Sequence, residues 1–168
     1  MHTPVKPRLK VIGVGNEWRG DDAVGLWVAR RLKAAALTGV EIFETLGTTG
    51  AVQDAWKDAA GVIVVDAVAA SGPPGAIYRF DGHGAGMPVK LSRSPSSHGW
   101  GLAEALALGQ VFQELPPWLI IYGIAGENFD PGRGVSPKVA AAIPEAARRI
   151  EAEIQGWLKG ESLEEHPP

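Results

Sequence analysis

The sequence predicts a single-domain α/β protein, a three-layer α/β/α arrangement around a twisted, mostly parallel sheet of about five strands. Three observations predict it. Short apolar runs alternate with segments of helical periodicity along the chain. Those runs lack polar alternation, as strands covered on both faces do. The segments between them have the crossover length that parallel neighbours require. With 168 residues, 45% of them apolar and 21% charged, the chain is long enough to bury one core by itself.

Val11, Ile12 and Val14 form a short β-branched run, interrupted by Gly13, that reads as the first buried strand. It breaks into Gly15, a tight loop, and then Asp21-Asp22, which open a helix that Val24, Leu26, Val28, Ala29, Leu32 and Ala36 carry to about Leu37. Val40-Glu-Ile-Phe-Glu-Thr45 alternates as a second strand, and a short second helix is expected over 51–59. Val62-Ile-Val-Val65 is an uninterrupted apolar run typical of a central parallel strand, with Asp66 at its C-terminal end. A loop over 69–74, an edge or hairpin strand over 76–81 and a Gly-rich loop over 82–88 follow.

The Ser-rich stretch 92–101 delivers His98 to the front of a helix over 99–112, which Pro116-Pro117 ends. Trp118-Leu-Ile-Ile-Tyr-Gly-Ile-Ala125 is a further buried strand, and 126–134 a loop. Ser136-Pro137 is a helix cap followed by proline at the first helical position, so the last helix runs to about Leu158. One domain accounts for 1–168, with 1–8 and 160–168 as terminal tails and no internal repeat.

Composition removes several function classes. The net charge of -3, with no basic run interleaved with aromatics, argues against nucleic acid as the principal partner. No stretch is suited to a membrane span, and the N-terminus lacks the apolar core of a secretory signal, so a cytoplasmic protein is expected. With no cysteine, any metal site must draw on carboxylates, imidazoles, carbonyls or water.

In sheets of this class, ligands sit beyond the strand C-termini where strand order reverses, which places Asp22 and Asp66 beside one crevice. A carboxylate ending an all-apolar strand is costly to desolvate unless it is paired, bonded or bound to a cation. His98, where a loop turns into a helix, supplies an imidazole. Two carboxylates and an imidazole from three converging segments suit a borderline divalent metal with water in its open positions. Each residue also has an ordinary alternative: a helix-terminal charge for Asp22, a turn or cap for Asp66 and an exposed loop histidine for His98. Asp21 reads more simply as a cap, and His83 is a secondary ligand candidate in its Gly-rich loop.

A dinucleotide site is the main competitor. Gly13 and Gly15 begin a G-x-G-x-x-G pattern, but Trp18 holds the third glycine position, and two negative charges at the helix mouth would repel a pyrophosphate. Glu44, ending the second strand where a ribose-binding acid would sit, is the remaining argument for it. Ser94, Ser96 and Ser97 lie near His98, yet no nucleophile elbow is present. Trp18 and Trp100, near the crevice, are candidates for gripping a partner.

Four stretches taken jointly carry a family resemblance: Gly13-Val-Gly-Asn-Glu-Trp-Arg-Gly-Asp-Asp-Ala-Val-Gly25, Val62-Ile-Val-Val-Asp-Ala67, Ser97-His-Gly-Trp-Gly-Leu102, and Gly123-Ile-Ala-Gly-Glu127 with Gly134-Val-Ser-Pro137. The chain resembles the hydrogenase maturation endopeptidases. The resemblance implies an enzyme that cuts a short C-terminal extension from the large-subunit precursor of a nickel-iron hydrogenase once nickel has been inserted. It implies a nickel-contacting set of Asp22, Asp66 and His98, the metal being borne by the substrate, with zinc or cadmium able to substitute in vitro. The first ligand position is Glu in some members and Asp in others, so Asp22 reaches one methylene less far. The expected partner is that precursor, and the protein is expected to be a monomer. A dinucleotide-binding oxidoreductase and a non-catalytic metal-binding chaperone are the competing classes.

Overall fold

The computed structural model describes residues 8–69, 72–84, 90–91 and 101–160. Its elements run β1 (Leu9–Val14), a 3-10 turn (Gly20–Ala23), α1 (Val24–Ala34), β2 (Val40–Thr45), α2 (Thr49–Trp56), β3 (Gly61–Ala69), β4 (Ile77–Asp81), β5 (Lys90–Leu91), α3 (Gly101–Val111), β6 (Trp118–Ala125) and α4 (Pro137–Leu158). The main sheet has the order β2-β1-β3-β6-β4, with the two-residue β5 paired to β3. Strands β2, β1, β3 and β6 are mutually parallel, whereas the edge strand β4 and short β5 run antiparallel to their neighbours. The expected α/β class, five-strand core and helices on both faces are all present.

Side-chain alternation divides the core into two layers. Leu9 and Val11 of β1, with Ile63 and Val65 of β3, pack with Val24, Val28 and Leu32 of α1 and Ile150, Ile154 and Trp157 of α4. Ile12, Val14, Val62, Val64 and Val68 face the other way, onto Val52 and Trp56 of α2 and Leu102, Ala105 and Leu106 of α3. Strands buried on both sides need apolar residues at every position, which is why their runs are unbroken. Lys10 is the polar exception in β1: only 7% exposed, it donates from Nζ to the carbonyls of Ala55 and Lys57 at 3.2 and 2.8 Å. Its ammonium thus satisfies carbonyls at the C-terminal end of α2 and sits favourably on that helix dipole.

Several expected boundaries shift, each for a physical reason. Asp21 and Asp22 lie in the 3-10 turn and α1 proper begins at Val24. At its other end α1 stops short of Leu37, because Ala36 has φ of 51° and turns the chain left-handed. The second helix starts earlier than expected, capped by Thr48, whose Oγ1 accepts the Ala51 N–H at 3.4 Å. Strand β3 continues past Val65 to Ala69, so Asp66 lies inside it and pairs with Gly123. Gly160, assigned to the tail, closes α4 instead: it has φ of 82° and donates its N–H to Trp157 O at 3.0 Å.

Glycines set the distance between α1 and the sheet. A Cβ on Gly25 would collide with the carbonyl oxygens of Val14 and Val65, and one on Gly13 with Gly25 O and the Ala29 methyl. The α1 backbone therefore rests directly on β1 and β3. Close helix-to-strand packing explains the G-x-G spacing without any phosphate ligand.

Candidate functional site

The first and third strands part company where the site forms. Pairing of β1 with β3 ends at Gly13 and Val65, while β3 and β6 stay paired through Val68 and Ala125. Asp66 is the first β3 residue beyond the end of that pairing. Alternation puts it on the side of Val62, Val64 and Val68, the layer covered by α2 and α3. It is 2% exposed, and its Oδ1 is buried with no hydrogen-bond partner among the described residues.

Asp22 comes to the same place from the loop that follows β1. Its Oδ2 accepts the Asn16 N–H at 3.0 Å, and it too is buried. Burial pushes the Asp22 carboxyl above the ordinary range, against the opposing pull of the Asn16 N–H and the Arg19 charge. Asp66 is pushed well above that range by burial first and by the negative charge of Asp22 second, with only the Ala67 N–H acting the other way. Two carboxylates held out of water beside one another, one with an unmet oxygen, favour either a proton or a cation.

The neighbouring Asp21 has the opposite environment. It is fully buried, yet it accepts N–H groups of Glu127, Asn128 and Ser136 at 2.8, 2.9 and 2.6 Å and the Ser136 hydroxyl at 2.8 to 2.9 Å. Burial alone would raise its carboxyl; the backbone donors from Ser136, Asn128 and Glu127 and the Ser136 hydroxyl reverse this and hold it low. Asp21 is therefore the ionised fastener of the 126–136 loop. Gly20 beside it, with φ of 55°, has no room for a Cβ against Asn128 O. Sequence reasoning gave Asp21 a capping role; the donors that define its actual one come from more than a hundred residues away.

His98 lies outside the described residues, as do Ser94, Ser96, Ser97 and Trp100. Both described flanks of that stretch end at the crevice. On one side Leu91 of β5 pairs with Val68 of β3. On the other, Gly101 at the head of α3 packs on Gly47 O and offers its carbonyl to Thr49 Oγ1 at 3.4 Å. Among the described residues no group of three or more His, Cys, Asp or Glu side chains is placed to hold a metal ion.

The remaining candidates have other occupations. His83 Nε2 lies 2.7 Å from Pro116 O, and the preceding Gly82 donates to Leu119 O near the start of β6. That is the opposite end of the parallel strands from Asp66. A cavity of about 1210 Å³ also sits there, lined by Leu9, His83, Trp118 and Trp157 among others; it holds neither Asp22 nor Asp66. Glu44 is bound by Arg30 at 2.8 Å and Lys33 at 2.9 Å. Burial would raise its carboxyl, but those two cations hold it low. The acid that best supported a ribose site is thus engaged by its own protein.

A family model described as HycI, hydrogenase maturation protease, matches residues 28–153. The chain belongs to the hydrogenase maturation protease family. It is 28% identical over 154 residues to the hydrogenase 2 maturation protease of Escherichia coli strain K12, covering 88% of this chain and 91% of that one. Its fold matches the hydrogenase maturating endopeptidase HybD from E. coli with a TM-score of 0.71 at 24% identity, over 88% of this chain and 92% of that one. The [NiFe] hydrogenase maturation protease HycI from Thermococcus kodakarensis gives 0.63 at 23% identity over the same shares. As a member of a maturation protease family the chain is a peptidase, a hydrolase, and the oxidoreductase and chaperone classes give way. Among the described residues no helix is long and apolar enough to cross a membrane.

Proposed function

We propose that this maturation protease removes the C-terminal extension of a nickel-iron hydrogenase large-subunit precursor after nickel insertion, and that it reads the substrate-borne nickel through Asp22, Asp66 and His98. The observation that carries the reading is the unmet Oδ1 of Asp66 beside the buried Asp22 carboxylate. A divalent cation entering the crevice would supply the missing partner and cancel the repulsion between the two charges. Nickel accepts carboxylate and imidazole donors together, which favours a histidine as the third contact.

His98 enters the proposal from the sequence. It lies three residues ahead of Gly101, whose packing on Gly47 fixes the head of α3 at the end of the sheet toward which Asp66 faces. The Asp21 fastener keeps the 126–136 loop and the 3-10 turn together, so Asp22 is presented on a rigid backbone.

Contact with the nickel would fix the scissile peptide in the crevice. The cut itself is a hydrolysis: water adds to the peptide carbonyl carbon, the C–N bond breaks, and the departing amine takes a proton. Bound nickel would supply Lewis acidity, toward either the carbonyl oxygen or a water. The three side chains would hold it in register with the peptide.

Mass spectrometry of the precursor before and after incubation tests the reading. Wild-type protein should shorten nickel-loaded precursor by its C-terminal extension and leave nickel-free precursor intact, and His98→Ala should shorten neither. Unchanged mass of loaded precursor with folded wild-type protein would refute this processing; equal cutting of both forms would refute nickel recognition.

A further inference from the structure

Two tryptophans lie on the surface around the crevice loop, and large aromatic side chains are enriched in protein interfaces. Trp18 is 75% exposed and Trp27 43% exposed. Neither position is loose. The Trp18 N–H donates to Asn16 Oδ1 at 2.9 Å, and its carbonyl accepts the Gly132 N–H at 2.8 Å. Asn16 is the residue whose own N–H holds Asp22, so the Trp18 backbone and the carboxylate share one support.

Glu17, next to Trp18 in the chain, is linked through Arg30 to the Trp27 ring. Glu17 is bound by Arg30 Nη1 at 3.1 Å, and the Arg30 guanidinium lies over the Trp27 ring, 4.9 Å from its centroid. Arg30 also reaches Glu44, so its orientation is fixed from two sides. These groups thus make an ordered ledge of aromatic faces and one compensated cation, already bonded to the lip of the crevice. A surface so constrained loses little entropy on binding, and Trp and Arg dominate the residues that carry interface energy.

We infer that Trp18 and Trp27, bridged by the Arg30–Glu17 pair, form a docking ledge for the folded hydrogenase large-subunit precursor, meeting an apolar patch next to its nickel site. The inference rests on the processing reading for the identity of the occupant. Continuity with the crevice selects that occupant: Asn16 holds both the Trp18 backbone and the Asp22 carboxylate, so a protein that presents its metal to Asp22 is the one brought up to this surface. The ledge acts on the folded precursor and needs no nickel, so it supplies affinity while the aspartates supply discrimination.

Isothermal titration of nickel-free large-subunit precursor, expressed without its own maturation protease, onto the full-length protein tests this directly. Wild type should bind, Trp18→Ala should weaken Kd about tenfold or more, and Trp27→Ala should weaken it several-fold. Thermal melting of Trp18→Ala should match wild type, because a ring this exposed has little packing to lose. On nickel-loaded precursor, most of the loss in kcat/KM should fall in KM. No wild-type binding, a Trp18→Ala Kd within twofold of wild type, or wild-type self-association that Trp18→Ala abolishes would overturn the ledge. Cutting of nickel-free precursor during the titration, visible as shortened product, would strike the nickel reading alone and leave the comparison of affinities in force.

Discussion

Ser136 occupies the N-cap of α4 but gives both its N–H and its hydroxyl to Asp21, 115 residues earlier in the chain. The helix thereby forgoes its own side-chain cap, and the start of α4 is tied to the 3-10 turn that carries Asp22. Local sequence favours a capping serine; the buried carboxylate outbids it, because an ionised acceptor makes the stronger hydrogen bond.

Asp21→Ala would strip the acceptor from three N–H groups and one hydroxyl at once. The expected cost is about 3–5 kcal/mol in urea unfolding, the range for breaking a buried charged network. Asp21→Asn, which keeps one acceptor oxygen but adds two donors, should also destabilise. Neither variant should process precursor at the wild-type rate, since the loop under Asp22 is released. Wild-type stability in Asp21→Ala would show that the fastener is redundant.

The two aspartates give opposite pH dependences. Asp21 has a depressed folded pKa, so its stabilisation is present above its unfolded value near 3.8 and is lost as pH falls through the lower folded value. Asp66 has a raised one: between 3.8 and its folded pKa the folded state binds the extra proton, so stability falls as pH rises through that window. Metal-free protein should therefore lose stability as pH rises above the ordinary carboxylate range. Asp66→Asn should flatten that slope and melt a few degrees higher at neutral pH, about 2–4 °C per kcal/mol for a chain of this size. A slope unchanged in Asp66→Asn would assign the effect to another group.

Cation binding should reverse that penalty. Nickel, zinc or cadmium added to metal-free wild type should raise the melting temperature in proportion to the logarithm of concentration above Kd. Asp66→Asn and Asp22→Asn should each lose most of that response, whereas a nicotinamide dinucleotide should move neither wild type nor variants. Thermal shift by the dinucleotide, with none by metal, would restore the oxidoreductase reading.

Gly25→Ala tests the packing of α1. The added methyl meets two carbonyl oxygens, Val14 O and Val65 O, that belong to strands unable to retreat. Overpacking of this kind costs about 1–3 kcal/mol and shifts the backbone. Because α1 follows directly from the turn carrying Asp22, activity should fall more than stability. A variant as stable and active as wild type would show that the helix can lift freely.

Strands β2 and β6 were fully legible, at Val40–Thr45 and Trp118–Ala125, because a β-rich run with turn residues at each end leaves little choice. The α/β class and the meeting of Asp22 with Asp66 followed from strand order alone. The extension of β3 through Ala67, Val68 and Ala69 was hidden: the apolar run stops at Asp66 and Ala69 opens the stretch read as loop, whereas pairing with β6 and β5 carries the strand through all three. Asp21 was misread for a related reason, since its partners at Glu127, Asn128 and Ser136 leave no trace beside it in sequence. The role of Lys10 on the end of α2 was hidden in the same way.

The central claim is that the buried aspartate pair recognises nickel carried by the precursor. Single-turnover cleavage of nickel-loaded and nickel-free precursor, compared for wild type and Asp66→Asn, measures it most directly. The account predicts rapid cutting of the loaded form by wild type and at least a hundredfold less in the other three combinations, of the order expected when a main electrostatic contact is lost. Asp66→Asn cutting loaded precursor at the wild-type rate, or wild type cutting both forms alike, would contradict it.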